Sequence, residues 1–188
     1  MTVVEIVTDP TSADRLASLA ATTFPLACPP HSPPEDVAAH IRSVLGADRF
    51  AAHIADPDTD VLVARPAADG AFVGYAVVHH GSALPADVGD RDQPGRVDSQ
   101  LSEISKFYVL PDHHGDRGRS DDPPSRAMMR AALRRAAERE SAAAWLGVNE
   151  ENHRALRFYT KSGFTRIGTR AFDLNGRIEH DYVLMRPV

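Results

Sequence analysis

The chain carries one cysteine, Cys28, among its 188 residues, so no internal disulfide can form. Aromatic residues are scarce at 6%, with a single tryptophan. No apolar run approaches the length needed to cross a bilayer. The first ten residues lack the basic start and apolar stretch of a signal peptide. Positive charge is not in excess either. Lysine and arginine number 21 against 26 acidic residues, a net charge of −5. Because phosphate-backbone binding draws on clustered positive charge, a broad nucleic-acid grip is not expected. No Cys/His spacing matches a zinc site, and no metal is expected. With 43% apolar and 25% charged residues, the remaining class is an ordinary globular domain, expected in the cytoplasm and with no membrane partner.

What is present reads as one mixed α/β unit over residues 1–188, without repeats. A β-branched run at 3–7 predicts an opening strand ended by Asp9-Pro10. Ser12 is placed to cap a helix carrying Leu16, Leu19 and Ala20 on one face. A second helix begins near Pro33-Pro34-Glu35 and stops before Gly46, and a short one covers 48–55. The runs 61–64 and 71–78 flank Ala68-Asp69-Gly70 and predict a hairpin. From Gly81 to Gln100 there is no periodicity, and a mobile loop is placed at 79–100. The stretch 101–110, apolar on both faces, predicts a central strand. An Ala/Arg/Glu-rich segment at 126–144 has helical spacing, and a strand follows at 145–148. Asn152 caps a helix to Lys161 that Gly163 ends in the left-handed conformation. Two last strands, 165–170 and 178–185, meet through Leu174-Asn175-Gly176.

Three stretches in this order carry chemistry. Lys106-Phe107-Tyr108-Val109-Leu110-Pro111-Asp112-His113-His114-Gly115 is a strand entering a glycine loop, with Gly118 further on. A strand, a glycine loop and then a helix present backbone N–H groups and a positive dipole end to an anion. The loop has neither the Gly-Lys-Ser/Thr of a Walker motif nor G-x-G-x-x-G. Trp145-Leu146-Gly147-Val148-Asn149-Glu150-Glu151-Asn152 is a strand leading to an Asn-capped helix. Ala155-Leu156-Arg157-Phe158-Tyr159-Thr160-Lys161-Ser162-Gly163-Phe164 is the helix and its end.

Together these stretches resemble the GNAT superfamily of acyl-CoA N-acyltransferases, and the element order extends the resemblance over nearly the whole chain. The resemblance implies a GNAT-like mixed twisted sheet flanked by helices in a single α/β domain. It also implies that strands 101–110 and 145–148 are parallel and splay apart to admit the pantetheine arm. The implied function is acetyl-CoA-dependent N-acetyltransfer to a primary amine by direct transfer, with acetyl-CoA as cosubstrate. Trp-Leu-Gly-Val with Asn-x-x-Ala and Asp181-Tyr182 is most similar to small-amine and polyamine acetyltransferases. The implied acceptor partner is a small-molecule amine, and the sequence leaves a homodimer open.

By the same resemblance, Tyr159 protonates the departing thiolate, and a phenol is a reasonable donor to it. Its plain reading is a half-buried core tyrosine, the role assigned to Phe158. Asn152 combines a helix cap with a cofactor contact. Phe107, Tyr108, Val109, His114, Gly115 and Gly118 form the rest of the cofactor site, backbone N–H groups near Val109 steadying the oxyanion. Some relatives place a glutamate where this chain has Gly147, so the general base passes to Glu103, with Tyr108 and His180 as weaker alternatives.

One departure stands out. His114 replaces the usual Gln or Arg, and the phosphate loop is expanded over 116–125. Asp122-Pro123 resembles an N-cap, and a capping carboxylate would compete with pyrophosphate for the helix terminus. Either the insert bulges outward, with Arg117, Arg119 and Arg126 serving the phosphates, or CoA binding is weakened. The second outcome leaves open a non-catalytic GNAT-like binding or regulatory domain. The pairs His79-His80 and His113-His114 do not make a metal site, since adjacent residues on a strand face opposite ways. Cys28 is expected to be inert.

Overall fold

The structure is a computed structural model that describes residues 2–66, 70–86, 88, 100–114 and 122–188. β1 (Thr2–Ile6), a run of β-branched residues, leads through a 3₁₀ turn into α1 (Ala13–Thr23), which buries Leu16, Leu19 and Ala20 as its spacing predicts. Ser12 is not the cap. It already has helical φ and ψ (−75°, −10°), which turns its side chain away from the first-turn N–H groups. Asp9 serves the turn instead, accepting from the Thr11 backbone N–H at 2.9 Å and its hydroxyl at 2.7 Å.

Next come α2 (Pro34–Val44), α3 (Ala47–Ala55), β2 (Thr59–Pro66), β3 (Gly74–Ser82) and β4 (Leu101–Val109). β2 and β3 pair antiparallel, as the hairpin expectation requires. β3 runs four residues into the segment expected as a loop from 79, because His79 and His80 pair with Glu103 and Ser102 of β4. The rest of that loop, most of the 116–125 insert, and both Gly115 and Gly118 lie largely or wholly outside the described residues.

α4 (Pro124–Glu138) starts two residues earlier than expected, on Pro124, whose missing N–H costs nothing at a first helical position. It also ends six residues earlier. Glu140 takes a positive φ of 58°, and Ala143 and Ala144 leave for β5 (Ala143–Asn149), where they are buried and pair with β4 and β7. α5 (His153–Lys161) is capped by Asn152 Oδ1, which accepts from the Ala155 N–H at 3.1 Å. Gly163 ends it at φ +86°. β6 (Thr165–Leu174) and β7 (Arg177–Pro187) meet at Asn175 and Gly176, both at positive φ, the geometry a two-residue hairpin turn requires.

The seven strands form one mixed sheet in the order β1-β2-β3-β4-β5-β7-β6. All neighbours are antiparallel except β4 and β5, joined across α4. One face packs on α1, α2 and α3 through Leu16, Phe50, Val63, Tyr75 and Val77. The other packs on α4 and α5 through Leu62, Val78, Ile104, Met129, Leu146 and Tyr159.

The β4–β5 pair has two different ends. It is joined only at Leu101↔Ala143, Ser102↔Ala144 and Glu103↔Trp145, and then the strands separate. A register shift in β4 coincides with the parting: Lys106 faces Val77 and Ile104 faces Val78, leaving Ser105 without a partner on β3. Such an extra residue bends its strand. The joined end is locked by a buried polar chain. Arg135 Nε donates to Asp60 at 2.7 Å, His80 Nε2 bonds the same carboxylate at 2.9 Å, His80 Nδ1 meets Ser102 Oγ at 2.8 Å, and Ser102 Oγ meets Ser141 Oγ at 2.7 Å. The chain ties β2, β3 and β4 to the end of α4. His79, its neighbour, points the other way, to Thr59 Oγ1 at 2.9 Å.

Candidate functional site

Where β4 and β5 part, a cavity of about 790 Å³ opens between them, within the range of small-molecule sites. β4 contributes Phe107, Tyr108 and Val109, the turn after it His114, α5 with its cap Asn152, Arg154 and Tyr159, and β7 Glu179 and Asp181. The splay expected from the resemblance is present. Of the sequence-derived site residues that are described, all but Glu103 line this space; Gly115 and Gly118 lie outside the described residues.

Backbone alternation gives β4 a donor in the cleft. The Leu110 N–H bonds Val73 O at 2.8 Å, toward β3. The N–H and C=O of Val109 therefore point the opposite way, toward the side that β5 has left. His114 confirms the direction, its Nε2–H donating to Val109 O at 2.5 Å. Arg154 donates to His114 Nδ1 on the other side of the ring. Those two bonds fix the neutral tautomer protonated on Nε2. Burial, followed by the charge of Arg154, also holds the His114 pKa below its ordinary value. The unusual histidine thus bridges the end of β4 to the first turn of α5.

Asp122 does not cap α4. Its carboxylate is held by both terminal nitrogens of Arg130, at 2.8 and 2.6 Å, one turn into the helix, and the cap position is Pro123. Among the described residues the helix start has no side-chain cap, and Pro123, Ser125 and Arg126 face the cavity. With Arg154, Arg157 and Lys161 of α5, this wall is cationic.

Tyr159 is buried against Phe107, Phe158 and Phe164, with ring centroids 5.5 to 6.2 Å away. Its hydroxyl has no hydrogen-bond partner among the described residues, and burial pushes its pKa well above the ordinary phenol value. It is thus kept protonated, as a proton donor must be. Phe158 stacks on Phe107 at 5.6 Å. Tyr108 stacks on Tyr75 at 5.5 Å and is likewise pushed up, by burial first and then by Tyr159, Cys28 and Asp181. The Cys28 thiol is pushed up to about 11 by burial and then by Glu179, which leaves it an unreactive thiol.

The opposite wall is acidic, a feature that the resemblance did not supply. Glu179 and Asp181 are both buried, 8% and 5% exposed, while His180 between them is exposed and faces away. The alternation of β7 was the available signal: two carboxylates fall on the side that otherwise carries Val183. Arg170 of β6 reaches between Asp181 (3.4 Å) and Glu103 (3.6 Å). Its guanidinium lies where a side chain at 147 would be, for a Cβ on Gly147 would sit 2.5 Å from Arg170 Cζ. Glu103 itself belongs to the joined end, opposite Trp145.

These features match what comparisons with known proteins find. A sequence profile of the GNAT acetyltransferase family matches residues 124–164. Over 176 residues the chain is 42% identical to an uncharacterized N-acetyltransferase of Mycobacterium tuberculosis, covering 94% of this chain and 97% of that one. The chain belongs to the GNAT acetyltransferase family. A more distant relative, an uncharacterized N-acetyltransferase of Lactobacillus delbrueckii subsp. lactis, is 27% identical over 81% of this chain and 79% of its own length. Among solved structures, the PaiA N-acetyltransferase of Thermoplasma acidophilum in complex with coenzyme A matches with a TM-score of 0.70 at 15% identity, covering 99% of each chain. NAA60 of Arabidopsis thaliana in complex with acetyl-CoA matches at 0.66 and 14%, covering 100% and 99%. This GNAT chain is an N-acetyltransferase, and the reading as a domain without catalysis is set aside. Among the described residues, no helix is long and apolar enough to cross a membrane.

Proposed function

We propose that this N-acetyltransferase moves the acetyl group of acetyl-CoA to a small primary amine by direct transfer. The observation that carries the reading is the division of charge across one cavity. The α4–α5 wall presents Arg126, Arg154, Arg157 and Lys161, and the β7 wall presents two carboxylates, Glu179 and Asp181, with Arg170 of β6 as the cation beside them. A polyphosphate-bearing thioester suits the first wall, and an ammonium suits the second. The residues fit the cofactor in a further respect: at the start of α4 the N–H groups of Arg126 and Ala127 are bonded to the Pro123 carbonyl, and among the described residues the Ser125 N–H is left for an anion.

Within this site, Phe107, Tyr108, Val109, His114 and Asn152 hold the thioester arm, with Gly115 and Gly118 assigned to the phosphate loop. The Val109 N–H, facing the cleft, would steady negative charge developing on the thioester oxygen. Tyr159 gives its proton to the departing sulfur. Bringing both substrates into one cleft permits transfer with no covalent enzyme intermediate. Cys28, the only thiol, is protonated at neutral pH and bonds the Phe24 carbonyl at 3.5 Å.

Calorimetric titration with acetyl-CoA, followed by a screen of small amines with free-thiol detection, tests the reading. Saturable binding, and thiol release that needs an amine, are expected. Absence of binding heat at millimolar acetyl-CoA would overturn it.

A further inference from the structure

We propose that Asp181 is the group that takes the proton from the incoming ammonium, and that Arg170, seated in the space left by Gly147, positions its carboxylate. The proposal rests on the acetyl-transfer reading above. Three observations carry it. Asp181 lines the cavity while Glu103 does not, so of the two carboxylates bridged by Arg170 only Asp181 faces a substrate. Asp181 lies opposite Asn149 in the β5–β7 register, beyond the last paired residues of β4 and β5, where the cleft is open. And the Arg170 guanidinium fills the volume that any side chain at 147 would need, so the glycine and the arginine are one device.

The groups facing Asp181 account for its behaviour. From β6 comes Arg170 at 3.4 Å, and from β7 itself Glu179, which Arg177 holds at 3.2 Å and His31 approaches at 3.9 Å. From β4 come the neutral phenol of Tyr108 and, through Arg170, Glu103. Burial dominates and raises the Asp181 pKa, Arg170 offsets part of the rise, and Glu179 adds to it. A carboxylate moved toward the working pH is a better proton acceptor than an exposed one. Arg170, the opposite charge beside it, favours the ionised form that accepts a proton.

The protons balance. Asp181 takes one from the ammonium, freeing the nitrogen lone pair. The C–N bond forms as the C–S bond breaks, and Tyr159 supplies the proton that the sulfur needs. Tyr159 recovers a proton from the newly acylated nitrogen, which carries one in excess, and Asp181 releases its own to solvent. One proton leaves per turnover.

The test combines kinetics with a titration of the free protein, using the acetyl-CoA and amine pair found above. Asp181→Asn is expected to lower kcat/KM by about 100-fold or more, with acetyl-CoA affinity by calorimetry unchanged. Arg170→Met is expected to move the acid limb of kcat/KM upward by about one pH unit, since an opposite charge within a few ångströms is lost. Carbon-13 NMR of the aspartate carboxyls should show the same upward move at Asp181 in the free protein, and Arg170→Lys should restore part of it. Asp181→Glu, which retains a carboxylate, should recover part of the activity, separating chemistry from folding. Wild-type transfer with Asp181→Asn within about threefold of it overturns this proposal alone, as does an acid limb indifferent to Arg170. Absence of transfer by the wild type overturns the functional reading and this one with it.

Discussion

Asp60 and Asp181 are both buried aspartates beside an arginine, yet their surroundings drive them in opposite directions. Burial disfavours the charge on each. At Asp60, hydrogen bonds from His80 at 2.9 Å and Arg135 at 2.7 Å outweigh it and bring the pKa down to about 2. At Asp181, Arg170 stands off at 3.4 Å and a second carboxylate lies nearby, so burial wins and the pKa rises. Donor number and distance decide the sign. The first aspartate belongs to the joined end of β4 and β5, where every polar group in the chain has a partner. The second belongs to the open end, where a single arginine reaches it at a longer distance. Ser102, His80 and Asp60 even repeat the bonding order of a hydrolase triad, but Ser102 is fully buried, so the arrangement clamps strands and does no chemistry.

The comparison can be broken most severely at the open end. Tyr159→Phe should lower kcat by about 10²–10⁴-fold. Acetyl-CoA affinity should barely change, since the hydroxyl acts only as the sulfur departs. A steady-state rate near wild type in a folded variant would return Tyr159 to the core. At the joined end the expected effect is on stability. Asp60 has a folded pKa below its unfolded value, so its contribution is complete above about pH 4 and disappears as pH falls toward 2. A shift of that size corresponds to roughly 2–3 kcal/mol. Asp60→Asn should remove it, and thermal unfolding followed from pH 7 to pH 2 should show a shallower acid loss in the variant.

Smaller effects sharpen the contrast. Asn152→Ala removes the α5 cap and should cost about 1 kcal/mol in chemical denaturation. It should also weaken acetyl-CoA binding, because the same side chain faces the cavity. Asp122→Ser should leave the acetyl-CoA dissociation constant unchanged. Its carboxylate already belongs to Arg130 and does not compete at the α4 terminus. A tighter constant in calorimetry would restore the capping role that the sequence implied.

Much of the fold was legible because local signals agreed with it. Asn152, Gly163 and Asn175-Gly176 each marked an element boundary that the structure keeps. The failures share a cause, for each turned on a partner distant in sequence. Ser12 was displaced by a preceding 3₁₀ turn, Asp122 was taken by Arg130, and the alanines at 143–144 were drawn from helix to strand by β4 and β7. The site divided the same way. The β4 and α5 residues sit on motifs, whereas Glu179 and Asp181 carry no motif and emerge only once β7 is laid beside the splayed strand. Gly147 read as a missing glutamate. Its reason is Arg170, 23 residues later on another strand.

The account holds that the joined end of the β4–β5 pair serves stability and the open end serves chemistry. One substitution made at both ends tests this directly: Asp60→Asn and Asp181→Asn, each measured for Tm and kcat/KM at pH 7. Asp60→Asn should lower Tm and leave the kinetics of the folded protein unchanged. Asp181→Asn should leave Tm at or above wild type, because a carboxylate with a raised folded pKa costs stability once ionised, and should lose activity. An active Asp181→Asn enzyme with a lowered Tm would contradict the division.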